Sequence, residues 1–349
     1  MINVVIADDS AFLRKILKDV LTGTGKILVV GEAKNGKEAI AFVKEKKPDV
    51  LILDIEMPVM NGLEALRRIM EENPLPVFMF SSLTVNGASV TVKALEYGAV
   101  DYLLKPVSGP SKLVEIADEL LQKIEAVVRM SRFKKYPKTG LAKEPTKKVL
   151  STPAPQISSR KIDIVAIGSS TGGVQAALAL APNLPEDICP VVWVQHMPPG
   201  FTKSFADRLN NQSKIVVKEA KNNEPLERGT CYIAPGSFQM AVQKQGANYS
   251  LKVYEGGRVS GHAPSCNVLF ESVAQHFSSN AIGAILTGMG DDGSDGLVKM
   301  HEKGAYIIGQ DESTCVVYGM PRAAHQKGAV DIELGITDIA SRISKAGGF

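Results

Sequence analysis

The sequence predicts an α/β chain made of two doubly wound parallel-sheet domains joined by a linker. Short runs of aliphatic and β-branched residues alternate with amphipathic stretches, the pattern of a parallel sheet covered by helices. Polar and acidic residues cluster just past the ends of those runs, where open α/β sheets bind ligands. The alternation breaks once, over 131–160, in a stretch rich in proline and basic residues. At 349 residues and roughly 150 residues per domain, two domains are expected.

The first domain is expected over 1–128. Ile2–Ala7, Leu28–Gly31, Val50–Leu53, Val77–Phe80 and Ala99–Leu103 read as short buried strands. Between them, Ala11–Leu21, Lys37–Lys46, Gly62–Glu71 and Gly87–Tyr97 read as helices, and Lys112–Val128 closes the set. Asp8 and Asp9 follow the first strand, Asp54 ends the third, Ser81 ends the fourth, and Lys105-Pro106 follows the fifth. In a parallel sheet these ends share one edge, so three carboxylates and an ammonium converge. Clustered carboxylates repel unless a cation joins them, and hard oxygen ligands suit Mg²⁺. A carboxylate beside such a cation and a lysine can attack phosphorus and form an acyl phosphate. A single aspartate here would be read as a helix cap; groups at four strand ends are not explained that way.

The segment 129–160 is expected to be a solvated linker, semi-extended at Pro137, Pro145, Pro153 and Pro155. The chain carries +3 overall, of which 131–160 holds +7, so the remainder is −4. The folded parts are mildly acidic, and no general nucleic-acid surface is implied.

The second domain is expected over 161–349. It opens on a buried strand ending at Gly168, a turn Ser169-Ser-Thr-Gly-Gly173, and a helix over Val174–Ala181. The turn lies at the carboxyl end of its strand, with helix N–H groups aimed at it. A serine there is a candidate nucleophile. The alternatives are a helix cap by Ser169 or Thr171, or a phosphate turn, although Gly-x-Gly-x-x-Gly and the Walker lysine are absent. Pro190–His196 is a second buried strand ending in His196. Ala281–Leu286 is another, followed by Thr287-Gly-Met-Gly-Asp-Asp-Gly-Ser-Asp-Gly296. Ser170, His196 and one of Asp291, Asp292 or Asp295 therefore fall past buried strand ends, where a nucleophile, a base and an orienting acid can meet. The order Ser, His, Asp differs from those of the familiar hydrolases, but a triad is defined by roles. His262, His276, His301 and His325 lack such a setting and are expected to be structural or at the surface. Cys189, Cys231, Cys266 and Cys315 form no Cys-x-x-Cys pair, which argues against a zinc ribbon or a redox motif. No basic region precedes the first apolar run and no run approaches a membrane span, so a cytoplasmic protein without membrane insertion is expected.

Two resemblances follow from these motifs. Asp8-Asp9-Ser10, Asp54-x-x-Met-Pro-x-Met-Asn-Gly62, Ser81-Ser82 and Lys105-Pro106 resemble the receiver domain of bacterial response regulators, a flavodoxin-like (βα)5 fold, over about the first 125 residues. The resemblance implies Asp54 as phospho-acceptor, and Asp8, Asp9 and Asp54 as ligands of Mg²⁺. It also implies Ser81 and Lys105 as phosphoryl-binding groups, and Tyr102 as the aromatic that changes rotamer. Ile167-Gly-Ser-Ser-Thr-Gly-Gly173, Gln195-His-Met-Pro-Pro-Gly-Phe201, Tyr232-Ile-Ala-Pro-Gly236, Leu286-Thr-Gly-Met-Gly-x-Asp-Gly293 and Val317-Tyr-Gly-Met-Pro321 resemble the Rossmann-like catalytic domain of the chemotaxis protein-glutamate methylesterases, the CheB family. This implies Ser170 as nucleophile, His196 as base, Asp292 as its orienting acid and the Met289 N–H in an oxyanion hole. The hydrolase chemistry then needs no cofactor. The substrate would be methylated glutamates, and by the same chemistry glutamines, of methyl-accepting chemoreceptor cytoplasmic domains. The phosphodonor would be a chemotaxis histidine kinase. The unphosphorylated receiver is expected to restrict access to Ser170. Two departures stand out: Ser169 adds a second hydroxyl and Asp291 a second carboxylate, so spacing alone does not choose within either pair. A DNA-binding output, a nucleotide-binding module and a general small-ester hydrolase are the competing readings.

Overall fold

The computed structural model describes residues 1–82, 84–105, 110–131 and 161–347. They belong to two compact units, Met1–Lys147 and Lys148–Phe349. Most of the expected linker, 132–160, lies outside the described residues, as does Pro106.

In the first unit the strands are β1 (Ile2–Ala7), β2 (Ile27–Ala33), β3 (Val50–Asp54), β4 (Val77–Ser81) and β5 (Asp101–Leu104). The helices are α1 (Ala11–Gly23), α2 (Gly36–Lys46), α3 (Gly62–Glu72), α4 (Val85–Glu96) and α5 (Pro110–Ser131). The order β2-β1-β3-β4-β5 is parallel throughout. The chain reverses its winding between β1 and β3, and the crevice at such a reversal is the ligand site of this architecture. Every residue of β3 and β4 is buried, as their unbroken apolar sequences require. The helix starts are set by side chains that accept N–H bonds of the first turn, from Ser10, Asn35, Asn61 and Thr84. Ser10 caps α1, so Asp8 and Asp9 do not serve that purpose. Most boundaries shift by one to three residues from expectation, and two of the shifts bear on the fold. Ala99 and Val100 are buried but precede β5, because Gly98 turns the chain at φ +103 and Ala99 N–H bonds back to Ala94. The last helix continues to Ser131, three residues past the expected domain end at 128.

The second unit begins with β6 (Ile164–Ser169), α6 (Gly173–Leu180), β7 (Val191–Gln195) and α7 (Phe201–Asn210). Two further strands, β8 (Val216–Glu219) and β9 (Thr230–Ile233), precede a hairpin of β10 (Gln239–Gln245) and β11 (Asn248–Tyr254). Then follow α8 (Cys266–Phe277), β12 (Ala281–Ile285), α9 (Ser294–Glu302), β13 (Tyr306–Gln310), α10 (Met320–Gln326), β14 (Ile332–Leu334) and α11 (Ile336–Gly347). Seven strands form a parallel sheet ordered β14-β13-β12-β6-β7-β9-β8. From β6 the chain winds outward in one direction through β7, then returns past β6 to add β12, β13 and β14 on the other side. The reversal lies between β6 and β12, so the turn after β6 faces a crevice by topology alone. The antiparallel hairpin was not foreseen in the sequence. It buries Met240, Val242 and Leu251 in the same apolar cluster as Phe270 and Val273 of α8.

Trp193 of β7 is fully buried and meets Phe205 of α7 edge to face, with centroids 6.5 Å apart and an interplanar angle of 87°. Phe205 is also fully buried. Phe205→Ala is expected to destabilise the second unit by about 3–5 kcal/mol. Denaturant titration followed by fluorescence of Trp193, the one tryptophan of the chain, measures this directly.

Candidate active site

The three strand ends singled out in the second unit are neighbours. Ser169 pairs with Gln195 in the β6–β7 ladder, and His196 N–H bonds to Ser169 O at 3.1 Å. On the other side, Leu286 N–H bonds to Gly168 O at 2.9 Å and Ser170 N–H to Thr287 O at 3.0 Å. Ser170 and His196 therefore leave adjacent strands at the same level.

The structure separates the two serines. Ser169 is fully buried; its Oγ accepts from Trp193 Nε1 at 2.8 Å and donates to Gln195 Oε1 at 2.6 Å. Gln195 Nε2 donates in turn to Ser170 O at 2.9 Å, so the amide ties the turn to β7. Ser170 is half-buried. Neither Ser169 nor Thr171 caps α6: the cap residue is Gly172, at φ +79, with no side-chain cap bond. Gly173 is required for packing, since a Cβ there would lie 2.0 Å from Gln195 Oε1, an atom fixed by Ser169. Two hydroxyls alike in sequence thus differ physically: one is locked into the sheet, the other is presented at its edge.

Of the three candidate acids, Asp291 and Asp295 are exposed, and Asp295 pairs with Lys327. Asp292 is buried, and its Oδ2 lies 2.8 Å from His196 Nε2. Its carboxylate also accepts from Ser265 Oγ at 2.7 Å, Cys266 N–H at 2.7 Å and Asn267 N–H at 3.3 Å. The last two are the first N–H groups of α8, whose amino terminus favours an anion. Burial alone raises the Asp292 carboxyl, but the bonds from His196, Ser265 and Cys266 outweigh it and hold the pKa below its usual value. Asp292 is therefore ionised and acceptor-only, so His196 Nε2 carries the ring proton. His196 Nδ1 is buried and has no hydrogen-bond partner among the described residues. The imidazole is held in its plane by Asp292 and on its face by His262, whose ring stacks on it at 3.7 Å between centroids and 9° between planes. The loop after β12 passes beside the turn that carries Ser170: a Cβ on Gly288 would lie 2.8 Å from Ser170 Cβ. The next backbone N–H belongs to Met289.

In the first unit, Asp8, Asp9 and Asp54 bring carboxylate oxygens within 4.8 Å of one another. Asp8 and Asp54 are buried and Asp9 is exposed. Lys105 Nζ lies 3.0 Å from Asp8 Oδ2 and 2.7 Å from Asp54 Oδ2. Burial raises the Asp54 pKa to about 6, with Lys105 opposing the shift and Asp8 adding to it. Burial alone lowers Lys105, but Asp54 and Asp8 outweigh it and raise its pKa. Three close carboxylates against one lysine fit a hard divalent cation such as Mg²⁺. Ser81, at the end of β4, is fully buried, and its Oγ accepts from Thr91 Oγ1 at 2.7 Å. Tyr102 on β5 is buried, with its backbone paired to Met79 of β4.

The model of the family described as CheB methylesterase matches residues 165–343. That of the response regulator receiver domain matches 4–118. This chain belongs to the CheB methylesterase family. It is 42% identical to the protein-glutamate methylesterase/protein-glutamine glutaminase of Pyrococcus horikoshii over 99% of this chain and 93% of that one. It is 44% identical to the protein of the same name from Sulfurimonas denitrificans over 98% of this chain and 97% of that one. The crystal structure of the Thermotoga maritima CheB methylesterase catalytic domain is similar at 38% identity and a TM-score of 0.52, covering 52% of this chain and 97% of that chain. The CheB assignment and the two parallel-sheet units agree with the fold expected from sequence.

Sequence reasoning missed several groups that shape this CheB site. His262, expected to be structural or at the surface, stacks on His196, a contact for which the sequence carries no signal; His301 and His325 lie beside Asp331 and Glu333. Ser265 and the start of α8 hold Asp292, and the available signal was a Ser before an apolar helical run. Asp291, although next in sequence to Asp292, is turned to solvent.

The raised pKa of Asp54 carries a stability consequence with a defined sign. Folding favours its protonated form, so this contribution is fully present below its ordinary value near 3.8 and is lost as pH rises through about 6. Above that pH the ionised, buried group opposes folding. Asp54→Asn is expected to raise stability by about 2 kcal/mol at pH 7, the gain fading as the pH is lowered from 6 towards 4. Thermal unfolding of wild type and variant without divalent cations, as a function of pH, reads this out.

Proposed function

We propose that the chain is a phosphorylation-activated serine hydrolase that demethylates glutamate γ-methyl esters of chemoreceptors. Its relatives carry the name protein-glutamate methylesterase/protein-glutamine glutaminase, and the family assignment supports the same chemistry here. The observation that carries the mechanism is the state of His196. Asp292 occupies Nε2, and Nδ1 is left buried with no hydrogen-bond partner among the described residues.

In this reading Ser170 Oγ attacks the ester carbonyl carbon as its proton passes to His196 Nδ1. The imidazolium is stabilised by the ionised Asp292, whose own proton affinity is already lowered. Charge on the carbonyl oxygen is met by backbone N–H groups, Met289 among them. His196 returns the proton to the methoxy oxygen, methanol leaves, and an acyl-enzyme remains. Water then loses a proton to Nδ1, attacks the acyl carbon and regenerates Ser170. The same sequence on a side-chain amide releases ammonia and converts glutamine to glutamate. No cofactor is needed for these steps.

Control is assigned to the first unit. Asp54 accepts a phosphoryl group from a chemotaxis histidine kinase, and Mg²⁺ held by Asp8, Asp9 and Asp54 would neutralise the charge gathered there. In this reading Lys105, which pairs with Asp8 and Asp54, and the Ser81 hydroxyl would bind the phosphoryl oxygens, and Tyr102 would be the aromatic that changes rotamer. The division into a receiver over 1–128, a linker over 129–160 and a catalytic domain over 161–349 is part of this proposal. So is action on receptor cytoplasmic domains from the cytoplasm; no described helix is long and apolar enough to cross a membrane.

The test is methanol release from methyl-labelled receptor, with and without a small phosphodonor and Mg²⁺. Ser170→Ala is expected to lose about 10⁴- to 10⁶-fold in turnover. Ser169→Ala is expected to keep turnover within about tenfold while losing about 1–3 kcal/mol of stability, because the Trp193 N–H is left without its acceptor. Asp54→Asn should keep basal release and lose the phosphodonor response. A Ser170→Ala protein that releases methanol at the wild-type rate overturns the assignment.

A further inference from the structure

The atoms that orient the base meet a group for which the hydrolytic steps have no use. Cys266 is the first residue of α8 and is fully buried, with its Sγ 3.7 Å from His196 Nε2. His196, Cys266 and Asp292 each offer one ligand atom within 4.8 Å of the others. Imidazole nitrogen, thiolate sulfur and carboxylate oxygen are the donor set of borderline-soft divalent cations, unlike the all-oxygen set of Asp8, Asp9 and Asp54.

The distances can be compared with such a centre. Tetrahedral zinc with Zn–N near 2.1 Å and Zn–S near 2.3 Å separates those two donors by about 3.6 Å. The sulfur and nitrogen here are 3.7 Å apart and need no adjustment. The Nε2–Oδ2 distance of 2.8 Å must open to about 3.3 Å for zinc to sit between them. Asp292 Oδ1 keeps its bond to Ser265 Oγ while Oδ2 turns, which gives the carboxylate a fixed pivot. The sulfur is also approached by backbone: a Cβ on Gly168 would lie 2.8 Å from it, so the thiol is held against β6 and cannot swing away in that direction.

We propose that His196 Nε2, Cys266 Sγ and Asp292 form an inhibitory site for a cation of the Zn²⁺ class, with the fourth position left to water. Binding breaks the Sγ–H and Nε2–H bonds and forms metal–sulfur and metal–nitrogen bonds. The thiol proton leaves to solvent, the ring proton moves from Nε2 to Nδ1 so that the imidazole stays neutral, and no electrons are exchanged. The Asp292 carboxylate exchanges its bond from Nε2–H for one to the cation. In the metallated imidazole Nδ1 bears the ring proton and has no lone pair to take one from Ser170, so hydrolysis stops. Occupancy requires only the three side chains. Loss of activity rests in addition on the hydrolase reading.

The experiment uses the full chain, wild type, Cys266→Ser and Cys266→Val. Co²⁺ is added as a spectroscopic substitute, and methanol release is measured across a Zn²⁺ titration, each rate taken relative to the same protein with chelator. Wild type is expected to show a thiolate-to-cobalt charge-transfer band and zinc inhibition reversed by chelator. In the variants the band is absent, and the zinc concentration that halves the rate rises about a hundredfold. The carboxylates of the first unit contribute no such band. A wild-type protein without the band, or equal zinc sensitivity in wild type and both variants, overturns the proposal. Wild-type methanol release in chelator reports the hydrolase reading separately, so failure of one is distinguishable from failure of the other.

Discussion

The second unit is organised around the cost of burying the Asp292 charge. A carboxylate with almost no exposed surface is stable only when its oxygens are bound by donors. Here the donors come from three places: the His196 ring after β7, the Ser265 hydroxyl, and the first N–H groups of α8. Satisfying that one charge fixes the ring proton on Nε2, sets the imidazole plane, and ties the loop after β12 to the start of α8. Removing any donor would leave a buried anion under-solvated, so the geometry of the base and the stability of the fold are the same constraint.

The sheet supplies what the carboxylate cannot. In a doubly wound sheet the chain must reverse direction once, and the strands at the reversal are separated in sequence but hydrogen-bonded in space. In the second unit this makes β12, β6 and β7 consecutive, which brings residues 170, 196 and 292 together. The first unit applies the same rule at β1 and β3, gathering Asp8, Asp9 and Asp54. One architectural principle thus gathers a hydroxyl, an imidazole and a carboxylate in one unit and three carboxylates in the other, with the difference lying in which side chains stand at the strand ends.

Much of this was legible in the sequence, because unbroken apolar runs such as Val50–Leu53 and Ala281–Ile285 have few alternatives to a buried parallel strand. The convergence of Ser170 and His196 follows from strand ends and needs no coordinates. Adjacent residues of like chemistry were not legible. Ser169 and Ser170 differ only through Trp193 and Gln195, which lie 23 or more positions away in the chain, and Asp291 and Asp292 differ only in which one turns inward. His262 was hidden for a similar reason: it comes from an irregular loop before α8, where periodicity carries no information. The β10–β11 hairpin carries alternate polar and apolar residues around a short turn, but its burial depends on α8, which follows it.

The choice of ring nitrogen also bears on motion. Nδ1 is bonded directly to Cγ, whereas Nε2 lies at the far tip of the ring, and the far tip is the end that Asp292 grips. Nδ1, the proposed proton acceptor, is therefore the short arm of the lever. Its position is tied closely to the main chain just after β7, and rotation about the Cα–Cβ bond moves it less than it would move the distal atom. Because β7 is laddered to β6 up to Ser169–Gln195, the separation of the Ser170 and His196 main chains is set by sheet registry. Small shear between these two strands, and little else, would then be the coordinate along which such a centre is tuned or disarmed.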